Sequence, residues 1–283
     1  MPTTPSAALQ EIVEYRGISD LVCAEVLVDD NSSEEGHGYV TGDVFAIAGV
    51  AEISKTTDST NEAHYYDNIP AVIVSNTASD TVTISASAIP LDVLAYITGQ
   101  NYDADTGSYI EGIRDFKYFA IGYKAKKTNS DEVYVWRYKG TFDIPDQTNS
   151  TENDGTDANG QEIVFTGIST THKFSKTGKG AKAINVDVAK DLADVSDFFD
   201  EVTTPDTITA KTAYTLSVTQ AAGTTVTVKR NGVTIPSGAQ IFSGDILVIS
   251  VTGGTITVNG TSFTSGNPML VTSNVAVVST AGA

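Results

Sequence analysis

The chain has 283 residues, enough for about two domains. Its 35 acidic side chains against 17 basic ones leave a formal net charge of −18, with a pI near 4.3. That excludes a protein that binds nucleic acid by neutralising phosphates, and one that adheres to an anionic membrane surface. Only 18% of residues are charged, so Thr, Ser, Asn and Gly supply much of the polar surface, as in β proteins. One cysteine, Cys23, cannot form an intramolecular disulfide. The N-terminus lacks the basic and apolar regions of a signal peptide, and no apolar run approaches the roughly 20 residues of a membrane span. The expected product is soluble and made in a cytoplasm.

Met1–Glu14 is irregular and contains proline, which predicts an extended N-terminal arm. Leu21–Asp29 and Val44–Ser54 are candidate strands, and Asp30–Gly42 and Lys55–Asn68 are candidate polar loops. Val82–Ser87 alternates as a strand, after which Pro90 at the first helical position opens a short helix, Leu91–Ile97, closed by Gly99. Phe116–Lys124 and Glu132–Lys139 predict a hairpin around Thr128-Asn129-Ser130. In its second strand Tyr134, Trp136 and Tyr138 share one face while Val133, Val135 and Arg137 share the other, so both faces are expected to be covered. Gln147–Gly160 is a polar loop, and Glu162–Ser175 with Ala181–Ala189 is a further expected hairpin. Asp191–Val202 is a second expected helix, with Leu192, Val195, Phe198 and Phe199 on its apolar face.

The charge is unevenly distributed. Residues 1–204 carry −19, whereas residues 205–283 carry +1 and are rich in Thr, Val and Gly. This step predicts two domains, 1–204 and 205–283, with Thr203-Thr204-Pro205-Asp206 as linker. In the second, Thr224–Arg230, Ile246–Val251, Thr255–Val258, Thr261–Thr264 and Leu270–Val278 are strand candidates. Asn231-Gly232 and Asn259-Gly260 supply two-residue hairpin turns. Six or seven short strands fit a small immunoglobulin-like sandwich, with another small barrel as the alternative.

Catalytic patterns are weak. His37, His64 and His172 lie in separate polar stretches, there is no Gly-x-Ser-x-Gly elbow, and Cys23 sits in an apolar alternating run. Thr177-Gly178-Lys179-Gly180 lacks the spacing of a phosphate loop and reads as a turn. A calcium-loop pattern near Asp157 fails because its first position is Gly155 and its twelfth Thr166. Asp191, Asp194, Asp197 and Asp200 recur every third residue and read as an acidic helix face turned to solvent, a lumen or an interface. Lys173, Lys176, Lys179 and Lys182 cluster beside His172, and meeting an acidic patch on a neighbouring copy is the best use of them. No catalytic, cofactor or metal-binding residue is assigned, and the chain reads as structural rather than enzymatic.

The ordered features resemble the siphophage major tail protein family, which builds the tail tube of long non-contractile phage tails. The resemblance spans about residues 15–203. It is carried by Gly17-Ile18-Ser19-Asp20-Leu21, Gly49-Val50-Ala51-Glu52-Ile53-Ser54, Tyr66-Asp67-Asn68, Ile89-Pro90-Leu91-Asp92, Phe119-Ala120-Ile121-Gly122-Tyr123-Lys124, and Tyr134-Val135-Trp136-Arg137-Tyr138-Lys139-Gly140. The Phe198-Phe199 pair closes it, and the C-terminal part resembles immunoglobulin-like decoration domains of virion proteins.

The resemblance implies a mainly β fold, with a β-sandwich tube domain and short flanking helices, plus a small immunoglobulin-like sandwich. It implies hexameric rings that stack into a tube in the virion, other tail proteins at the tube ends, and phage DNA as passing cargo rather than bound ligand. No cofactor is expected, and synthesis is expected in the host bacterial cytoplasm. An acidic wall suits such a conduit because it repels phosphate. The arm Met1–Glu14 and the stretch Lys55–Asn68, with Lys55, Asp58, Glu62, His64, Tyr65 and Tyr66, are the expected inter-subunit contacts. A host-surface glycan stays open as a ligand of the C-terminal domain.

Two rival classes fit the sequence less well. A free carbohydrate-binding or adhesin-like sandwich needs an aromatic platform, yet the C-terminal part holds only Tyr214, Phe242 and Phe263. A glycosidase needs two carboxylates about 5–10 Å apart, and no motif fixes such a pair.

Overall fold

The computed structural model describes residues 12–32, 34–146 and 160–282. Most of the expected arm and nearly all of the expected loop Gln147–Gly160 lie outside them. The chain is mainly β and divides into two compact units. One comprises Met1–Ala189 and Val195–Ile208, the other Lys190–Asp194 and Thr209–Ala283.

In the first unit the elements are β1 (Tyr15–Asp29), β2 (Tyr39–Thr41), β3 (Phe45–Ala46), β4 (Val50–Tyr66), β5 (Ile69–Ala86), α1 (Leu91–Thr98), β6 (Asn101–Asp103), β7 (Ser108–Ile110), β8 (Tyr118–Lys127), β9 (Glu132–Phe142), β10 (Gln161–Gly167) and β11 (Ala183–Asp187). Apart from the small β6–β7 ribbon the strands form one antiparallel sheet in the order β2-β1-β8-β9-β10-β5-β4, with β3 on β1 and β11 on β9.

Alternation along β1 sorts its side chains between two apolar clusters. Leu21 and Cys23 join Phe119, Ile121 and the inner face of α1. Val22, Ala24 and Val26 join Ala120, Trp136, Tyr138, Phe174 and Phe198 on the opposite face. The central strand β9 is covered on both sides, as expected: Tyr134, Trp136 and Tyr138 pack on the second face, and Val133 and Val135 pack with Tyr123 on the first.

Helix α1 forms where it was expected, and Gly99 closes it in the left-handed conformation at φ 71°. Pro90 stands one position earlier than expected, outside the first turn, with ψ at 140°. The second expected helix does not form. Asp191 has φ 53°, which ends the turn Val188–Lys190, and Ala193 pairs with Ala210 as an isolated bridge. Val195, Phe198, Phe199 and Val202 still pack inward, on a strap of turns across the second face of the sheet. Leu192, expected on the apolar face, is exposed. The Trp136 indole N–H fixes the strap by donating to the Phe198 carbonyl at 2.8 Å.

The expected hairpin of Glu162–Ser175 with Ala181–Ala189 also forms differently. Strands β10 and β11 do not pair with each other; β10 bonds to the end of β9 and β11 to its beginning. The intervening residues leave the sheet and turn back at Thr177-Gly178, closed by a Phe174–Lys179 bridge.

The second unit holds β12 (Ala213–Thr219), β13 (Thr225–Arg230), β14 (Val233–Ile235), β15 (Gln240–Phe242), β16 (Ile246–Thr252), β17 (Gly254–Val258), β18 (Thr261–Phe263), β19 (Pro268–Leu270) and β20 (Val275–Ala281). Sheets ordered β15-β12-β20-β17-β18 and β14-β13-β16-β19 enclose one core around Leu216, Ile249, Val271 and Val277. Both Asn-Gly turns have positive φ at each central residue, as two-residue hairpins of matching twist require. The expected single strand Leu270–Val278 is two, β19 and β20, in different sheets.

Thr203–Asp206, expected as linker, is held within the first unit. The Asp206 carboxylate accepts from the N–H groups of Ser175 and Lys176 at 2.7 and 2.9 Å, and Thr204 is buried.

Candidate functional site

The expected polar loop Lys55–Asn68 is a strand. β4 and β5 form one long hairpin whose register runs from Val50–Ala86 at the base to Tyr66–Ile69 at the tip. Its Thr, Ile, Val and Tyr content is what a ladder favours, and Asp67-Asn68 at φ 52° and 64° supplies a tight turn. Three register shifts interrupt the pairing.

The base is locked by a charge cluster around a buried carboxylate. Asp80, 4% exposed, lies 3.1 Å from the Arg137 guanidinium, 3.1 Å from Lys182 Nζ and 3.9 Å from Lys55 Nζ. Burial alone would raise the Asp80 pKa. The hydrogen bonds from Lys182 and Thr57 and the charges of Lys182 and Lys55 outweigh it and hold the carboxyl below its ordinary value.

Beyond the base the hairpin stands free of the core. Strand β10 covers β5 only from Asp80 to Ala86, and every residue from Asp58 to Ala78 whose burial is described is exposed. Six large apolar side chains are open there: Tyr65, Tyr66, Ile69 (65% exposed), Val72, Ile73 (69%) and Val74. An isolated two-stranded hairpin is marginal in water, and its open edges invite pairing. Large apolar side chains gathered open on one free ribbon mark an interaction site. Each such side chain contributes about 1–2 kcal/mol when a partner covers it.

The structure therefore brings Asp58, Glu62, His64, Tyr65 and Tyr66 together along one exposed strand, and places Lys55 at the clamp below them. The partner strand Ile69–Val74, which carries most of the apolar surface, was not singled out from sequence. Its signal was present: Ile69 and the β-branched run Val72-Ile73-Val74 follow closely on Asp67-Asn68.

Asp191, Asp194 and Asp197 do not form a stripe, because the helix that would align them is absent. Asp191 pairs with Lys211 and lies 4.0 Å from Arg230, while Asp194 and Asp197 are exposed. Cys23 is fully buried, and burial pushes its thiol pKa well up. His37 bonds the Asp30 carboxylate at 2.7 Å, which, with the Gly38 and Ser32 N–H groups, lowers the Asp30 pKa to about 2. Among the described residues no group of three or more His, Cys, Asp or Glu could hold a metal ion, and no helix is long and apolar enough to cross a membrane.

No protein-family model matches the chain, and no curated protein matches it.

Proposed function

We propose that the chain is a self-assembling structural protein: the tube subunit of a long non-contractile phage tail, with a small β-sandwich appended as decoration. The observation that carries this reading is the β4–β5 hairpin, whose open apolar strands need a partner and whose base is rigidly clamped. A second copy of the same chain is the partner, through which hexameric rings form and stack in the virion.

The acidity of residues 1–204 supports the conduit role, since a wall of like charge lets DNA pass without retaining it. Negative-stain microscopy of the purified full chain tests the reading. Rings or tubes are the expected result, and monodisperse monomers at high concentration would overturn it.

A further inference from the structure

Beside α1 lies an open groove of about 600 Å³. Leu27, Phe45 and Tyr96 give it apolar walls, and Glu25, Asp43 and Asp92 give it carboxylates. This is the chemistry a lysine needs, with surface for its methylene stem and an anion for its head. One lysine of the chain already uses part of it: Lys117 Nζ lies 3.1 Å from Glu25 and 4.1 Å from the centre of the Tyr96 ring. Asp43 and Asp92 are exposed, and neither side chain has an ion-pair or hydrogen-bond partner among the described residues.

The complementary surface is the turn Lys173–Lys179. Phe174 anchors it in the core, and Asp206 holds the N–H groups of Ser175 and Lys176. Lys176 is spent on the Ile208 carbonyl, but Lys173 and Lys179 are exposed with no ion pair among the described residues. A turn fixed in this way loses little freedom when it docks.

We infer that the lysines of this turn in one copy enter the acidic groove of the next. The groove lies on the face of the sheet that α1 covers, since Glu25 and Leu27 continue the Leu21–Cys23 row, whereas the turn packs through Phe174 on the other face. Joining opposite faces makes a head-to-tail contact, which propagates into rings or filaments instead of closing a pair. The contact rests on the assembly reading above and adds a specific charged pair of surfaces to it.

The test uses the full chain in sedimentation and negative stain at low salt. Lys173→Glu with Lys179→Glu, and separately Asp43→Lys with Asp92→Lys, each lower the assembled fraction at least tenfold while the melting temperature stays within a few degrees of the wild type, the small shift of the second variant coming from Asp92 in the first turn of α1. Mixing the two variants restores assembly, because each then offers the surface the other needs. Normal assembly by either variant, or no restoration on mixing while the wild type assembles, overturns the contact and leaves the tube reading standing. A groove that binds a free lysine peptide while both variants assemble normally overturns it too, and gives the groove to another protein's basic segment. A wild-type chain that stays monomeric overturns the assembly reading and this contact together.

Discussion

Asp80 shows how one residue ties local chemistry to the exposed surface. Its carboxylate is buried under Arg137 and Lys182, where the hairpin leaves the sheet. Asp80→Asn leaves the buried guanidinium of Arg137 uncompensated, and is expected to cost about 3–5 kcal/mol in urea unfolding. The pH dependence has a definite sign. The folded pKa is depressed, so this stabilisation is fully present above the ordinary value of 3.8 and is lost as pH falls through the folded value. The wild type should therefore lose urea resistance below about pH 4 by more than Asp80→Asn does.

Gly140 is constrained by space. A Cβ there would stand 2.3 Å from the Phe165 ring and 2.5 Å from the Thr166 carbonyl oxygen. Gly140→Ala should lower stability by about 1–3 kcal/mol, read from the same denaturant midpoints. Neither role could be read from sequence, because Asp80 and Arg137, like Gly140 and Phe165, meet only through strand pairing.

At the scale of elements, the hairpin gives the most direct prediction. Thr57 and Asp80 are paired across it, so replacing residues 58–79 by Asn-Gly should close it just above the clamp. The shortened chain is expected to melt within a few degrees of the wild type in calorimetry and to form no rings under the microscope. Equal ring formation would count against the hairpin as the assembly surface.

The elements legible in the sequence were those with local causes. These are α1 with its glycine cap, the Asn-Gly turns, and the two-sided strand β9. The hairpin read as a loop because its polar half, Lys55–Asn68, shows no buried alternation. It is a strand because β5 pairs with it, and pairing is a property of two segments. Asp191–Val202 misled in the opposite direction. Its apolar spacing suits a helix, yet a strap of turns packs Val195, Phe198 and Val202 against the same apolar cluster.

For the whole molecule, the charge step between its two parts marks two units, but the structure refines where the chain is safely cut. A chain ending at Thr204 loses the Asp206 bonds that hold the Lys173–Lys179 turn, whereas one ending at Ile208 keeps them. The longer truncate is expected to melt several degrees above the shorter one and to retain assembly. Equal melting temperatures would show that the strap end contributes nothing to the first unit.

The sequence by itself determined the β class, the two-part charge distribution and the turns, because composition and local backbone preference act within a few residues. Only the tertiary structure decided that a polar stretch becomes an exposed hairpin, and that a basic turn and an acidic groove lie on opposite faces of one sheet. Those facts depend on which distant strands pair and in what register, and no local preference encodes that.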